Sequence, residues 1–201
     1  MSADQLLALT VFALVGSFTP GPNNTIATVT GANFGLRAAL PHVFGVPFGF
    51  ATMLLAAAGG VAAVLIASPL ASQALKWAGV AYLLWLAWVL ARSNDRGLVQ
   101  PTGPFKLPLS FVQSAVFQYL NPKAWMLAVA TAGTFFAGER PLLRGALASL
   151  VFGVAALGSI MLWASVGAAL RGWLSRGRRL RFFNAAMGFL LATTAVWMAV
   201  Q

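Results

Sequence analysis

The stretch SFTPGPNNTI, Ser17 to Ile26, drops two prolines, a glycine and two asparagines into apolar sequence. Pro20 and Pro22 have no amide hydrogen to give to the carbonyls of Gly16 and Phe18, so a helix arriving from the N-terminal side has to break here. From Leu6 to Phe18 such a helix runs about 20 Å, at about 1.5 Å per residue, which puts the break inside a bilayer rather than at its edge. Backbone groups freed in hydrocarbon cost several kcal/mol each, so a break at that depth survives only where it faces protein or a polar cavity.

Composition makes the membrane reading necessary. Of the 201 residues, 60% are hydrophobic and 8% charged, and the mean hydropathy is +0.83. A soluble core of this size cannot hide so much apolar surface, whereas lipid can. No polar linker divides the chain, so residues 1–201 read as one compact domain. The absence of cysteine excludes disulfides, thiol relays and Cys-ligated metals. Six apolar runs are long enough to span, near residues 5–30, 40–67, 70–91, 109–137, 142–170 and 181–200. The opening Met1-Ser2-Ala3-Asp4 has no basic residue, so the first run is expected to be a permanent helix and not a cleaved signal.

The net charge of +10 sorts by loop. With six spans, loops 1, 3 and 5 carry nine basic residues (Arg37; Arg92, Arg96, Lys106; Arg171, Arg176, Arg178, Arg179, Arg181), against Lys76, Arg140 and Arg144 opposite. That bias puts loops 1, 3 and 5 in the cytoplasm and both termini outside. The run RGWLSRGRRLRFF also suits anionic lipid. Nucleic-acid binding is not expected, since no basic domain with stacking aromatics lies outside the apolar runs.

Sliding the chain by 100 residues lays Pro22 on Pro122, Pro41 on Pro141, Gly45 on Gly145 and Gly49 on Ser149, with the match failing later, where Trp77 meets Gly177. Two copies of three helices must point in opposite directions, which predicts an inverted repeat, one copy over about 1–97 and the other over about 105–201. The breaks then correspond: TPGPNN in the first span and YLNPKAW, Tyr119 to Trp125, in the fourth, where Pro122 frees the carbonyl of Gln118. A half-helix starting just after each proline offers unpaired amides and a positive dipole end to an anionic group such as a carboxylate. One proline reads as a kink; two matched breaks flanked by Asn23, Asn24, Asn121 and Lys123 read as a site. An ammonium at mid-membrane costs about 2.5 to 3.5 kcal/mol, so Lys123 is expected to face an interior cavity, the alternative being that it snorkels to water.

SFTPGPNN followed by GANFGLRAAL, LKWAGVAYLLWLAW and NPKAWMLA resembles the LysE/RhtB family of bacterial amino-acid exporters, and within it the branch exporting cysteine and O-acetylserine. The resemblance covers essentially the whole chain. It implies a multi-pass carrier of the bacterial inner membrane that expels amino acids or related metabolites, with Pro20, Gly21, Pro22, Asn23, Asn24, Gln118, Asn121, Pro122 and Lys123 along its substrate path.

A zwitterion would offer its carboxylate to the half-helix amides and Lys123, and its ammonium to freed carbonyls and asparagine oxygens. The only acids, Asp4, Asp95 and Glu139, fall near predicted ends or loops, which argues against cationic substrates and carboxylate metal sites. If protons drive export, the candidate carriers are Lys123 and His42; at a helix entrance in LPHVFGV, His42 reads rather as an interfacial residue. No nucleophile, base or metal-ligand set for an enzyme is present, and no cofactor is expected. A passive channel for small polar solutes is the alternative, since inverted repeats with half-helices also build pores. Gly45, Gly49, Gly145, Ser149 and Gly153 are expected to let helices approach closely, and small-residue faces permit a homodimer. Tryptophans near the ends of the third span are expected to anchor at the interface.

Overall fold

The computed structural model describes residues 1–61, 63, 67–93, 107–136 and 139–200, and every regular element among them is helical. Asp95, Arg96, Lys106 and the junction expected between the two halves lie outside the described residues.

The first helix, α1 (Ala3–Phe18), starts at a Ser2–Gln5 capping box, in which each side chain accepts from the other residue's backbone amide. It stops where the prolines demand, and α2 (Pro22–Phe34) begins with Pro22 in its first turn. The two axes meet at 50°. Gly35, at φ 88°, ends α2 and opens α3 (Leu36–Ala58), which carries Pro41 and Pro47 inside it. Ser68 caps α4 (Pro69–Ala91). A second capping box, Ser110–Gln113, starts α5 (Phe111–Leu120), and α6 (Pro122–Phe135) follows the break at Asn121. Arg140, in the left-handed region at φ 58°, precedes α7 (Pro141–Leu174), and α8 (Arg179–Val200) closes the described chain.

Four helices, α3, α4, α7 and α8, are long and apolar enough to cross a membrane, and the bent pair α1–α2 would make a fifth span. The run near residues 109–137, expected as the fourth span, holds α5 and α6 of 10 and 14 residues, each too short to cross alone. The four long helices are 28 to 50% buried over their most apolar stretch, so most of their apolar surface faces outward, as lipid solvation requires.

Packing brings the expected halves onto one another, with α3 against α7 and α4 against α8. Without a hydrophobic drive between helices in lipid, contact depends on small residues that admit a neighbouring backbone. A Cβ at Gly45 would meet Phe111 O at 2.5 Å, one at Gly49 Ala115 O at 2.4 Å, and one at Gly145 the Cβ of Ala58 at 2.6 Å. Gly153 departs from the expectation, having nothing within 4 Å of its would-be Cβ. Pro41 and Pro141 also separate structurally, the first lying inside α3 and the second in the opening turn of α7. The two largest apolar clusters are built on Leu9, Met53, Leu54 and Phe152, and on Ile26, Leu83, Leu86 and Phe117. Trp77 and Trp88 lie exposed on α4, while Tyr82 and Trp85 turn in toward Phe117.

Candidate functional site

Both breaks come together. A cavity of about 50 Å³ is lined by Gly16, Ser17, Gly21, Pro22, Asn23 and Asn24 from the first, by Gln118, Asn121 and Lys123 from the second, and by apolar side chains including Phe50 of α3 and Phe152 of α7. That is room for a few waters, well below the roughly 300–1,000 Å³ typical of ligand pockets.

The broken backbone is repaired both by a near neighbour and from far along the chain. Asn24 gives its amide hydrogens to Ser17 O at 3.1 Å and Thr19 O at 3.0 Å. Ser159 of α7 adds a bond to Ser17 O at 2.8 Å, and the Lys123 ammonium donates to Thr19 O. At the second break the repair is local: Asn121 N takes the Gln118 carbonyl at 3.1 Å, and the Trp125 indole donates to Tyr119 O at 3.0 Å. The two helix starts differ in the same way. Asn121 Oδ1 accepts from Lys123 N at 3.1 Å and so closes α6, whereas the start of α2, at Gly21, has no side-chain cap. The open, anion-attracting amides are therefore those of the first break.

Asn23 and Gln118 join the halves as a reciprocal amide pair, at 2.8 and 3.3 Å, and Gln118 Nε2 also donates to Ser114 O at 2.8 Å. Behind them sits His42, with no exposed surface. Its placement corrects the interfacial reading: α3 turns the ring inward, where Nε2 meets Asn23 O at 3.2 Å and Nδ1 meets Ser114 Oγ at 2.9 Å. A carbonyl accepts only, so Nε2 carries hydrogen and, in the neutral ring, Nδ1 accepts from the Ser114 hydroxyl.

Seven of the expected site residues thus line the cavity. Pro20 lines an adjoining cleft, and Pro122 lies outside both, in a groove beside Ser72, Leu75 and Lys76. Sequence reasoning missed Ser114 and Ser159. A serine in an apolar run ordinarily bonds its own helix four residues back, as Ser149 does to Gly145 O at 2.8 Å, and nothing in the sequence marks these two as different. Among the described residues no group of His, Cys, Asp or Glu could hold a metal. Asp4 and Glu139, the acids among the described residues, are exposed, and neither lines the cavity.

Comparison with known proteins identifies the family. The family model described as LysE type translocator matches residues 14–201. The protein named cysteine/O-acetylserine efflux protein in Escherichia coli strain K12 is 31% identical over 202 residues, covering 100% of this chain and 98% of that protein. The protein of the same name in Shigella sonnei strain Ss046 is also 31% identical, with the same coverage. No solved structure matches. A broken-helix polar cavity in an apolar helical chain, matched nearly end to end by one family model, makes this protein a member of the LysE type translocator family, and so a membrane transporter and not an enzyme.

Proposed function

We propose that the protein is a proton-coupled secondary transporter that exports neutral amino acids or related small metabolites across a bacterial inner membrane. The observation that carries this reading is the cavity itself: one uncapped helix start, one lysine and four amide side chains converge there, and no acid does. The open amides of α2 and Lys123 suit a carboxylate, while carbonyl and amide oxygens suit an α-ammonium. A cationic side chain would find no carboxylate in the cavity wall to neutralise it. The names of the Escherichia coli and Shigella relatives support the same substrate class.

His42 and Lys123 are the groups to which the coupling proton is assigned. A proton arriving at His42 Nδ1 turns it from acceptor to donor, so the Ser114 hydroxyl must rotate. The change occurs within hydrogen-bonding reach of Asn23 and Gln118, which bridge the two halves. In this reading the chain makes six spans as two inverted repeats, with α5–α6 as the broken partner of α1–α2 and both termini periplasmic. The matched Ser-x-x-Gln starts of α1 and α5, and the pairing of α3 with α7 and α4 with α8, support it.

The test is counterflow. Purified protein in liposomes is loaded with single unlabelled amino acids, including cysteine and O-acetylserine, and uptake of the labelled species is followed for wild type and Lys123→Ala. Saturable counterflow of a neutral amino acid, lost in the variant, is the expected result. Unsaturable flux without counterflow would indicate a passive channel and overturn the carrier reading.

A further inference from the structure

Lys123 carries its ammonium not into open space but to Thr19 O, 104 residues away in sequence. That oxygen lies at the C-terminal end of α1, the negative end of its dipole, and already accepts from Asn24 Nδ2 at 3.0 Å. Both of its lone pairs are thereby engaged. The lysine stem crosses Gly21: a Cβ there would stand 2.9 Å from Lys123 Cδ and 3.2 Å from Nζ. Gly21 has φ −173°, which any residue adopts, so a side chain here would meet no backbone strain and would instead displace the lysine stem.

Lys123, Gly21 and Pro22 line the polar cavity and also a second, wider cleft of about 550 Å³, whose other walls include Phe12 of α1, Met126 of α6 and Trp197 of α8. The lysine therefore stands on the partition between the two spaces, latched to the carbonyl that a substrate ammonium would otherwise use.

We infer that Lys123 is a tethered stand-in for the substrate's ammonium: unloaded, it closes both the α1 carbonyl end and the passage between cavity and cleft, and a zwitterion opens them by exchange. The incoming ammonium takes Thr19 O while the carboxylate takes the released lysine. This rests on the transport reading above for the carboxylate partner alone; the occupied carbonyl and the partition are independent of it. At every stage of the swap one cation sits on Thr19 O, and the released lysine is paired. A cation without a carboxylate cannot complete the exchange, because it leaves two ammonium groups side by side with nothing to neutralise the second. The latch thus excludes simple amines and admits zwitterions.

The experiment measures uptake of labelled ethylamine, an ammonium without a carboxylate, alongside O-acetyl-L-serine counterflow. It uses proteoliposomes of wild type, Lys123→Met and Gly21→Ala, each checked for a wild-type elution profile and thermal midpoint. Lys123→Met keeps the stem and removes the charge; Gly21→Ala keeps the charge and pushes it off Thr19. The expectation is that wild type excludes ethylamine and that either variant admits it faster, on the order of tenfold, as loss of one charged hydrogen bond implies. Wild-type exclusion persisting in both folded variants, or in Lys123→Met should Gly21→Ala not fold, overturns the latch. If in addition Lys123→Met loses O-acetylserine counterflow, the latch falls and the carboxylate role stands. If the variants admit ethylamine while Lys123→Met keeps that counterflow, the latch stands and the carboxylate role falls. The ethylamine measurement does not depend on which amino acid the carrier takes.

Discussion

Asn24 gives both amide hydrogens to carbonyls of the broken end of α1, and with 4% exposure it has almost no water to fall back on. Asn24→Ala is expected to destabilise the protein by about 1–3 kcal/mol for the donor it removes, read as a lower thermal midpoint in detergent. Asn24→Asp should be worse, because it sets a carboxylate against the same oxygens. Ser114 is the complementary case. Ser114→Ala leaves His42 Nδ1 without its donor while changing little of the packing, and is expected to slow pH-gradient-driven flux by about tenfold. Counterflow at equal pH should change less, and equal losses in the two assays would detach Ser114 and His42 from the coupling step. Asn24 could be picked out from sequence because it adjoins two prolines. His42 was legible as a candidate proton carrier at a helix entrance, but its interior placement was not, since its partners belong to α2 and α5.

At the scale of elements, proline and serine chemistry wrote the boundaries plainly: α2 and α6 both open on a proline, and α1 and α5 both open on a Ser-x-x-Gln box. What local chemistry leaves undetermined is which small residues face a neighbour. Gly49 and Gly153 look alike in sequence, yet a Cβ on the first would lie 2.4 Å from Ala115 O and one on the second would meet nothing within 4 Å. Gly49→Ala is therefore expected to force α3 from α5 and cost about 1–3 kcal/mol, seen as a lowered midpoint. Gly153→Ala should raise stability by about 0.5–1 kcal/mol through helix propensity. A lowered midpoint for Gly153→Ala would show that the open space beside it is needed.

For the molecule as a whole, topology is the quantity to measure, and a chain without cysteine makes single-cysteine labelling free of background. If α5–α6 crosses the membrane, Ser110→Cys and Glu139→Cys lie on opposite sides. A membrane-impermeant maleimide should then reach Glu139→Cys in intact cells, and Ser110→Cys and Arg176→Cys only after permeabilisation. Labelling of Ser110→Cys and Glu139→Cys from one side would make α5–α6 a re-entrant pair. The sequence by itself determined that the chain lives in lipid, that two of its helices break at prolines, and that it has only three carboxylates, because hydropathy, a missing amide hydrogen and the count of acids are properties of the residues themselves. Tertiary structure alone decided that the first break is open and the second self-sealed, that Lys123 closes on Thr19, and that His42 is interior. The physical reason is that freed backbone groups in a membrane must find partners, and here two of those partners, Lys123 and Ser159, stand 104 and 142 residues away, across helices whose facing no local pattern encodes.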